Sequence, residues 1–211
     1  MSADIDSLTK RIVEDASKAD RLIVAIAGPP GCGKSTLAET LQQAILERGL
    51  SVQTLPMDGF HLDNGLLEER GLLARKGAPE TFDVRGLVDI VKALRAGTEE
   101  VLVPIFDRSR EITIGSARAI HSGTKIVLIE GNYLFLNEDP WKKLEGLFDL
   151  TIFINPGEPE LEKRLRERWV SYGYDEDTIT LKVEANDMPN GRRVIANSRS
   201  ADITIATWEP R

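Results

Sequence analysis

A strand-sized apolar run that leads through a glycine-rich turn into a helix is the feature that most restricts how this chain can fold. Residues Arg21 to Ala27 are predicted to form a buried β-strand, and Ser35 to Arg48 have the apolar spacing of a helix. Between them, residues 28–35 read Gly-Pro-Pro-Gly-Cys-Gly-Lys-Ser and match the pattern G-x-x-x-x-G-K-[ST]. A strand, a turn of this type and a helix in this order are typical of α/β proteins that bind nucleoside triphosphates.

The rest of the chain alternates strand-like and helix-like segments. Further strands are predicted at Val52 to Met57, Ile126 to Glu130, Leu150 to Asn155 and Ile203 to Ala206. Helical spacing occurs around Ile5 to Ala16, at Leu87 to Ala96 and at Glu160 to Tyr172. Because parallel neighbours need crossover connections, this order predicts an α/β three-layer sandwich with a mainly parallel five-stranded sheet. Its ligands are expected at the carboxyl ends of the strands.

Composition narrows the class of protein. The chain has 211 residues and no linker rich in Pro, Gly or Ser, so residues 1–211 are expected to form one domain. A formal net charge of −7 disfavours a nucleic-acid partner and favours a small molecule. The longest apolar runs fall far short of the roughly 20 residues that span a bilayer. With no secretory pattern at the start and a single cysteine, a soluble cytoplasmic protein is expected, and a homo-oligomer is left open.

The turn from residue 28 to residue 35 is the predicted nucleotide site. Its glycines let backbone N–H groups curl around a phosphate at a helix N-terminus, whose partial positive charge favours anions. Lys34 is expected to reach the β- and γ-phosphates, and the Ser35 hydroxyl to bind Mg²⁺. Cys32 is interpreted as dispensable, since phosphoryl transfer needs no sulfur nucleophile. The predicted nucleotide-binding residues are Gly28, Pro29, Pro30, Gly31, Cys32, Gly33, Lys34, Ser35 and Thr36.

Acidic residues end two of the predicted strands. Asp58 could accept the proton of an acceptor hydroxyl and lie near the metal, or it could cap a turn. Glu130 could orient a water of the Mg²⁺ shell, or it could face solvent. His61 could contact substrate or pack at the base of the loop. The predicted metal site therefore comprises Ser35, Glu130 and Asp58.

These residues resemble those of the P-loop kinases that include uridine kinase, phosphoribulokinase and bacterial type I pantothenate kinase. The resemblance rests on the phosphate turn, on Asp58-Gly59-Phe60 as a D-x-[FY] segment, and on residues 75–83. The last of these, Arg-Lys-Gly-Ala-Pro-Glu-Thr-Phe-Asp, is similar to the R-K-G-x-P-E-[ST]-[FY]-D segment of pantothenate kinases. The resemblance implies that Asp58 is the catalytic base, and it brings Arg75 and Phe82 to the predicted acceptor site.

The same resemblance bears on the acceptor. Gly77 stands where uridine kinases carry an aspartate for the ribose hydroxyls, and Arg108 stands where pantothenate kinases carry a histidine after P-V-Y-S. The overall pattern is most similar to short proteins labelled fructose transport system kinases, which implies a sugar acceptor of the fructose type. The alternatives are a pantothenate- or nucleoside-type kinase, or a P-loop ATPase or nucleotide switch that has no small-molecule acceptor.

Residues 106–110 form a charged segment that follows a predicted strand. Its sequence Phe-Asp-Arg-Ser-Arg offers one carboxylate and two guanidinium groups, which suit a polyhydroxylated or anionic acceptor. A solvated charged turn would explain the same residues. The candidate acceptor contacts are Asp107, Arg108 and Arg110.

A helical lid is predicted at about residues 158–192. Leu161, Leu165 and Trp169 form its buried stripe, whereas Arg164 and Arg168 lie on another stripe and could close over the transferring phosphoryl group. The resembling kinases place lid arginines in this helix, although acid–arginine pairs four residues apart also suit a solvated face. Residues 186–193 have turn chemistry and could contact adenine or the acceptor, or simply connect elements.

The sequence thus predicts in-line transfer of the γ-phosphoryl group of ATP, with Mg²⁺, to a hydroxyl of a small metabolite. ATP is favoured over GTP because the chain contains no N-K-x-D guanine motif. The predicted catalytic residues are Lys34, Asp58, Arg164 and Arg168.

Overall fold

A parallel sheet forms the centre of the computed structural model, which describes residues 4–206. Five of the strands pair in the order β2-β5-β1-β6-β7, and all of their ladders are parallel. All five were predicted from the sequence, each to within one residue at either end. In chain order the strands are β1 (Leu22–Ala27), β2 (Val52–Pro56), β3 (Val101–Asp107), β4 (Ile112–Ile120), β5 (Ile126–Gly131), β6 (Leu150–Ile154) and β7 (Ile203–Ile205).

Helices cover both faces of this sheet, which confirms the three-layer α/β sandwich. In β1, Val24 and Ile26 face a core formed with helices α1, α2 and α5, whereas Ile23 and Ala25 face a second core formed with α4. All six residues of β1 are buried, so the strand does not alternate between apolar and polar residues, as expected when both faces of a sheet are covered. The helices are α1 (Ile5–Ala16), α2 (Lys34–Glu47), α3 (Asn64–Glu69), α4 (Val84–Ala96), α5 (Glu158–Ser171), α6 (Glu176–Lys182) and α7 (Met188–Asn197).

Strands β3 and β4 form a separate antiparallel hairpin beside the carboxyl end of β2. A short 3₁₀ helix, Met57–Phe60, follows β2 and packs against the hairpin. A Cβ on Gly59 would lie 2.6 Å from the Pro104 carbonyl oxygen, so the two backbones touch where a larger residue would not fit. From β4, the Arg118 guanidinium donates to the Thr54 carbonyl of β2 at 2.9 Å. The sequence predicted a strand before Phe106 but not its partner.

The region after β6 is helical, as the predicted lid requires, but it contains more helix than expected. A π-helical turn, Val183–Asp187, joins α6 directly to α7. The interpretation of residues 186–193 as a turn or connecting loop is therefore wrong. Pro189 lies in the first turn of α7, directly after the π-helical turn, and Met188 and Val194 are buried. Packing thus overrides the turn preference of the Asn190-Gly191 pair.

Within residues 4–206, no helix is both long enough and apolar enough to span a membrane.

Candidate active site

A cleft opens at the carboxyl ends of β2 and β5, the edge at which open parallel sheets bind ligands. One wall comes from the phosphate turn and β5, and the other from the hairpin and the 3₁₀ helix after β2. The lining residues are Ser35, Pro56, Asp58, Ile105, Phe106, Arg108, Arg118 and Glu130. Ser35, Asp58 and Glu130, which the sequence assigned to the metal site, thus lie in one cleft.

The phosphate turn joins β1 to α2, as predicted, and it is tightly packed. A Cβ on Gly28 would lie 2.4 Å from the Ile154 carbonyl oxygen and 2.7 Å from the Cys32 sulfur, so no larger residue fits there. Cys32 is fully buried, and burial raises the pKa of its thiol. The turn ends at the N-terminus of α2, where unpaired backbone N–H groups and the helix dipole favour a phosphate.

Lys34 is folded back onto its own turn. Its side chain is buried, and Nζ donates a 2.9 Å hydrogen bond to the Pro29 carbonyl. The Cys32 sulfur lies 3.7 Å from the same Nζ. The ammonium group therefore sits inside the phosphate cradle, within reach of any phosphate that the turn binds.

Glu130, on β5, is buried beside this turn. Burial and the nearby Asp58 carboxylate raise its pKa to about 7, while Lys34 and a hydrogen bond from the Ser35 hydroxyl act in the opposite direction. The hydroxyl and the two carboxylates are hard oxygen donors, the set that Mg²⁺ prefers. Ser35, Glu130 and Asp58 therefore fit a magnesium ion held jointly with nucleotide phosphates. A bound Mg²⁺ would neutralise charge on the phosphate oxygens.

Asp58 lies at the start of the 3₁₀ helix after β2, on the acceptor side of the cleft. Its Oδ2 pairs with Nη2 of Arg108, which is 50 residues later in the chain. The Asp58 side chain is 25% exposed, so it remains accessible from the cleft. A carboxylate held by a guanidinium through one oxygen can still accept a hydrogen bond at the other.

His61 lies behind this carboxylate in an aromatic cluster. Its ring centroid is 4.1 Å from that of Phe82 and 4.8 Å from that of Phe106. Burial lowers its pKa to about 4, so the ring is neutral at pH 7. His61 thus packs at the base of the loop, and its contact with substrate stays a prediction. Phe82 is buried and also packs edge-on against Tyr133. It therefore packs beneath the wall of the cleft that the hairpin and the 3₁₀ helix form.

Asp107 and Arg110 pair with each other at the tip of the hairpin. The Asp107 carboxylate accepts from Nε of Arg110 at 2.8 Å and from the Ser109 backbone N–H and hydroxyl. These hydrogen bonds lower the pKa of Asp107 to about 2. Neither residue lines the cleft, whereas Arg108, between them, does. Their predicted contact with an acceptor stays a prediction.

The two arginines of the predicted lid, Arg164 and Arg168, have different contacts from α5. Arg164 is mostly buried, and its guanidinium lies 3.5 Å from the Cys32 carbonyl of the phosphate turn while Nε donates to Glu160 at 2.7 Å. Arg168 instead lies 3.3 Å from the Asp187 carboxylate of the π-helical turn. Of the two arginines predicted to act from the lid, Arg164 is therefore the one that contacts the phosphate turn. Their catalytic roles stay predictions.

Arg75 joins the acceptor segment to the lid. Its guanidinium lies 3.5 Å from the side-chain oxygens of Asn186 and Asn190 and 3.6 Å from Glu80. Asn186 also donates to the Lys76 carbonyl at 3.2 Å. Arg75 thus contacts protein groups from the tract that the sequence considered for adenine or acceptor binding.

Arg118 is the charged cleft residue that the sequence did not predict. It lies on β4, ten residues after Arg108, in a segment that matches no motif. The only available signal is an arginine at an alternating position of a strand that follows a charged turn. Without the hairpin register, that pattern does not indicate which way the side chain points.

The sequence profile described as "Phosphoribulokinase / Uridine kinase family" matches residues 23–209. The chain belongs to this family. Its members are kinases, so the chain is a phosphotransferase that acts on an alcohol group, and P-loop kinases generally use ATP with Mg²⁺.

Individual members of the family extend the comparison. The crystal structure of a "putative fructose transport system kinase" from Silicibacter sp. TM1040 superimposes with a TM-score of 0.90 at 40% identity, covering 96% of this chain and 98% of that one. The YggC protein of Escherichia coli strain K12 is 36% identical over 90% of this chain and 79% of its own. A pantothenate kinase of Enterococcus faecalis is 31% identical over 70% of this chain but only 49% of its own. The family resemblance predicted from the sequence is confirmed.

Proposed function

We propose that this phosphoribulokinase/uridine kinase family member transfers the γ-phosphoryl group of ATP, with Mg²⁺, to a hydroxyl of a small sugar-like metabolite. The observation that carries the proposal is the position of Asp58, which shares one cleft with Ser35 and Glu130. A carboxylate there faces the phosphate turn from the acceptor side. In-line transfer needs this arrangement, with the attacking oxygen opposite the leaving group.

Each residue has a role in this proposal. The turn amides and Lys34 hold the phosphates, while Ser35 and Glu130 support the metal. Asp58 receives the hydrogen bond of the acceptor hydroxyl and aligns its oxygen; because the transition state is loose, alignment matters more than basicity. Arg164, beside the Cys32 carbonyl, stabilises charge on the transferring group. Arg168 supports the lid through Asp187.

A sugar of the fructose type is the proposed acceptor class. Support comes from the description of the Silicibacter protein, to which this chain is similar over nearly its whole length. The proposal also treats residues 1–211 as one domain with a lid at about residues 158–192. It further requires a cytoplasmic location, where ATP is abundant, and neither a nucleic-acid nor a membrane partner.

A screen of acceptors tests this function. Purified protein with Mg²⁺ and ATP is offered sugars, pantothenate, glycerate and nucleosides, and both ADP release and the phosphorylated product, by mass spectrometry, are measured. Product that depends on a sugar-like acceptor is the expected result. ADP release that no acceptor stimulates would contradict the kinase proposal and favour a plain ATPase, and product with uridine alone would contradict the acceptor class.

A further inference from the structure

The acceptor side of the cleft is rich in positive charge in a chain whose formal net charge is −7. Arg108 and Arg118, both from the hairpin region, line the same cleft as Asp58. Arg108 pairs with a carboxylate, whereas Arg118 bonds to a neutral backbone carbonyl. This difference between the two arginines indicates what kind of acceptor the cleft can hold.

The Arg118 guanidinium is held in place by a hydrogen bond, but no negative charge that the structure describes balances it. Its Nη1 donates to the backbone carbonyl of Thr54 at 2.9 Å, and no carboxylate among residues 4–206 forms an ion pair with it. A carbonyl fixes the orientation of the guanidinium but leaves its charge unbalanced. The remaining N–H groups of this exposed side chain stay available to a ligand in the cleft.

The other charges of the cleft are already matched. Arg108 pairs with Asp58, and that pair is neutral as a unit. Glu130 lies on the metal side of the cleft, where the positive charge of the nearby Lys34 opposes that of its carboxylate. Arg118 is therefore the charge that remains for an acceptor to balance.

The remaining lining favours an anion over a neutral sugar. Pro56, Ile105 and Phe106 are apolar, and within the described part of the chain no Asn or Gln side chain lines the cleft. The Asp58 carboxylate can accept from the reacting hydroxyl, whereas Arg118 offers only donors to the rest of the acceptor. A guanidinium matches a carboxylate or phosphate with two parallel hydrogen bonds.

We propose that the acceptor is a hydroxylated metabolite that carries a carboxylate or phosphate group, and that Arg118 binds this group. The inference rests on the proposed function and narrows its sugar-like acceptor to an acidic or phosphorylated one. In the reaction, the acceptor oxygen forms a bond to the γ-phosphorus as the bond to the β-phosphate oxygen breaks and ADP leaves. The hydroxyl proton passes to Asp58 and then to solvent. The anionic group of the acceptor takes no part in these bond changes and only fixes the molecule in the cleft.

Matched pairs of acceptors test the inference directly. Glycerol with glycerate and glucose with gluconate form the carboxylate arm, and fructose with fructose 6-phosphate forms the phosphate arm. We expect the anionic member of at least one pair to have a kcat/KM at least tenfold above that of its neutral partner, and the arm in which this occurs identifies the group. Equal or higher kcat/KM for the neutral members throughout would overturn the inference.

Substitution of Arg118 supplies the second test. Arg118→Gln should raise the KM for the anionic acceptor about tenfold or more, with kcat and the ATP Kd changed by less than threefold, while Arg118→Lys should give an intermediate KM. Arg85→Gln, on the exposed face of α4 where Arg85 pairs with Asp89, is the matched control and should change nothing. Thermal unfolding of each variant checks the fold. An unchanged KM in a folded Arg118→Gln protein would contradict the inference.

A binding measurement separates this inference from the proposed function. If no pair is turned over, calorimetry with Mg²⁺ and ADP present measures the binding of the same six compounds. Failure of the nucleotide itself to bind would defeat the proposed function. Nucleotide binding without binding of any anionic compound would defeat only the inference drawn from Arg118.

Discussion

The two walls of the cleft are built in different ways. Apart from Glu130 of β5, the phosphate wall is one contiguous segment, residues 28–36, which leads from a fully buried strand into the start of a helix. The acceptor wall combines Asp58 from the end of β2 with Arg108 and Arg118 from a separate hairpin. The Arg108 side chain is 67% exposed, whereas Lys34 is buried.

Because of this difference, we expect ATP binding and acceptor binding to depend on different parts of the chain. In the proposed function, backbone amides and one buried lysine bind the phosphates, so phosphate binding depends on local geometry. Side chains from segments that are distant in sequence would bind the acceptor, so acceptor binding depends on the position of the hairpin. Substitutions on one wall should therefore leave the other largely intact.

The largest expected effect is that of Asp58→Asn. The amide keeps the shape of the side chain but cannot accept the proton, so kcat should fall by about 10²- to 10⁴-fold. The ATP Kd, measured by calorimetry, should change little because the turn, Lys34, Ser35 and Glu130 remain to hold the phosphates and the metal. Near-normal turnover would contradict the proposed role of Asp58 as proton acceptor. Loss of ATP binding would contradict the expectation that the two walls act independently.

Next in size is the contrast between the lid arginines. Arg164→Ala should lower kcat by about 10²-fold, since its guanidinium lies beside the phosphate turn and loss of one transition-state donor has effects of that order. Arg168→Ala removes a contact to Asp187, away from the turn, and should lower kcat less. Steady-state kinetics of both variants would contradict the assignment if the order were reversed.

Gly59→Ala tests how the acceptor wall is held. The new Cβ would lie 2.6 Å from the Pro104 carbonyl oxygen, so the hairpin must shift, at a cost of about 1–3 kcal/mol in the free energy of unfolding. The acceptor KM should rise while the ATP Kd stays constant. Gly115→Ala, in the same hairpin but with no atom within 4 Å of the added Cβ, is the control and should affect neither. A raised ATP Kd in Gly59→Ala would argue against independent walls.

The acceptor wall should also carry a pH dependence. Burial among Phe82 and Phe106 lowers the pKa of His61 from 6.5 to about 4, with Asp58, Lys76, Glu111 and Arg108 as its charged neighbours. Because the folded pKa lies below the unfolded one, the stability that His61 contributes is complete above pH 6.5 and is lost as pH falls towards 4.

Replacing His61 by Phe should therefore reduce the loss in the free energy of unfolding between pH 6.5 and 4 by roughly 2–3 kcal/mol. Denaturant titrations at several pH values measure this slope. The control is His121→Asn, because His121 is exposed and pairs with Glu100. An identical slope in wild type and His61→Phe would show that other groups govern acid unfolding.

The smallest effect is expected on the phosphate wall itself. Cys32→Ala should leave kcat within about threefold of wild type, because a backbone carbonyl and amide, not the sulfur, are what the turn offers at this position. Loss of the buried sulfur should cost roughly 1 kcal/mol of stability. Abolished turnover in a folded variant would show that the thiol takes part after all.

The same division explains what the sequence could predict. The strand, turn and helix around Lys34 are contiguous and carry a strong local signal, so the fold and the phosphate wall were predictable. Asp58 and Glu130 were predictable because the ends of parallel strands meet at one edge of the sheet. The pairing of Asp58 with Arg108 and the place of Arg118 were not, because a hairpin register with no motif brings them together. Helix α7 was missed because local turn preference competes there with tertiary burial.

The hairpin has its own hydrogen-bond ladder and adds no strand to the central sheet. An insertion or exchange of residues within it would leave every rung of the parallel ladder in register. If the hairpin selects the acceptor as proposed, exchanging it should change the acceptor while the phosphate wall and the central sheet stay the same. The close backbone approach at Gly59 is a contact that a replacement hairpin would have to preserve.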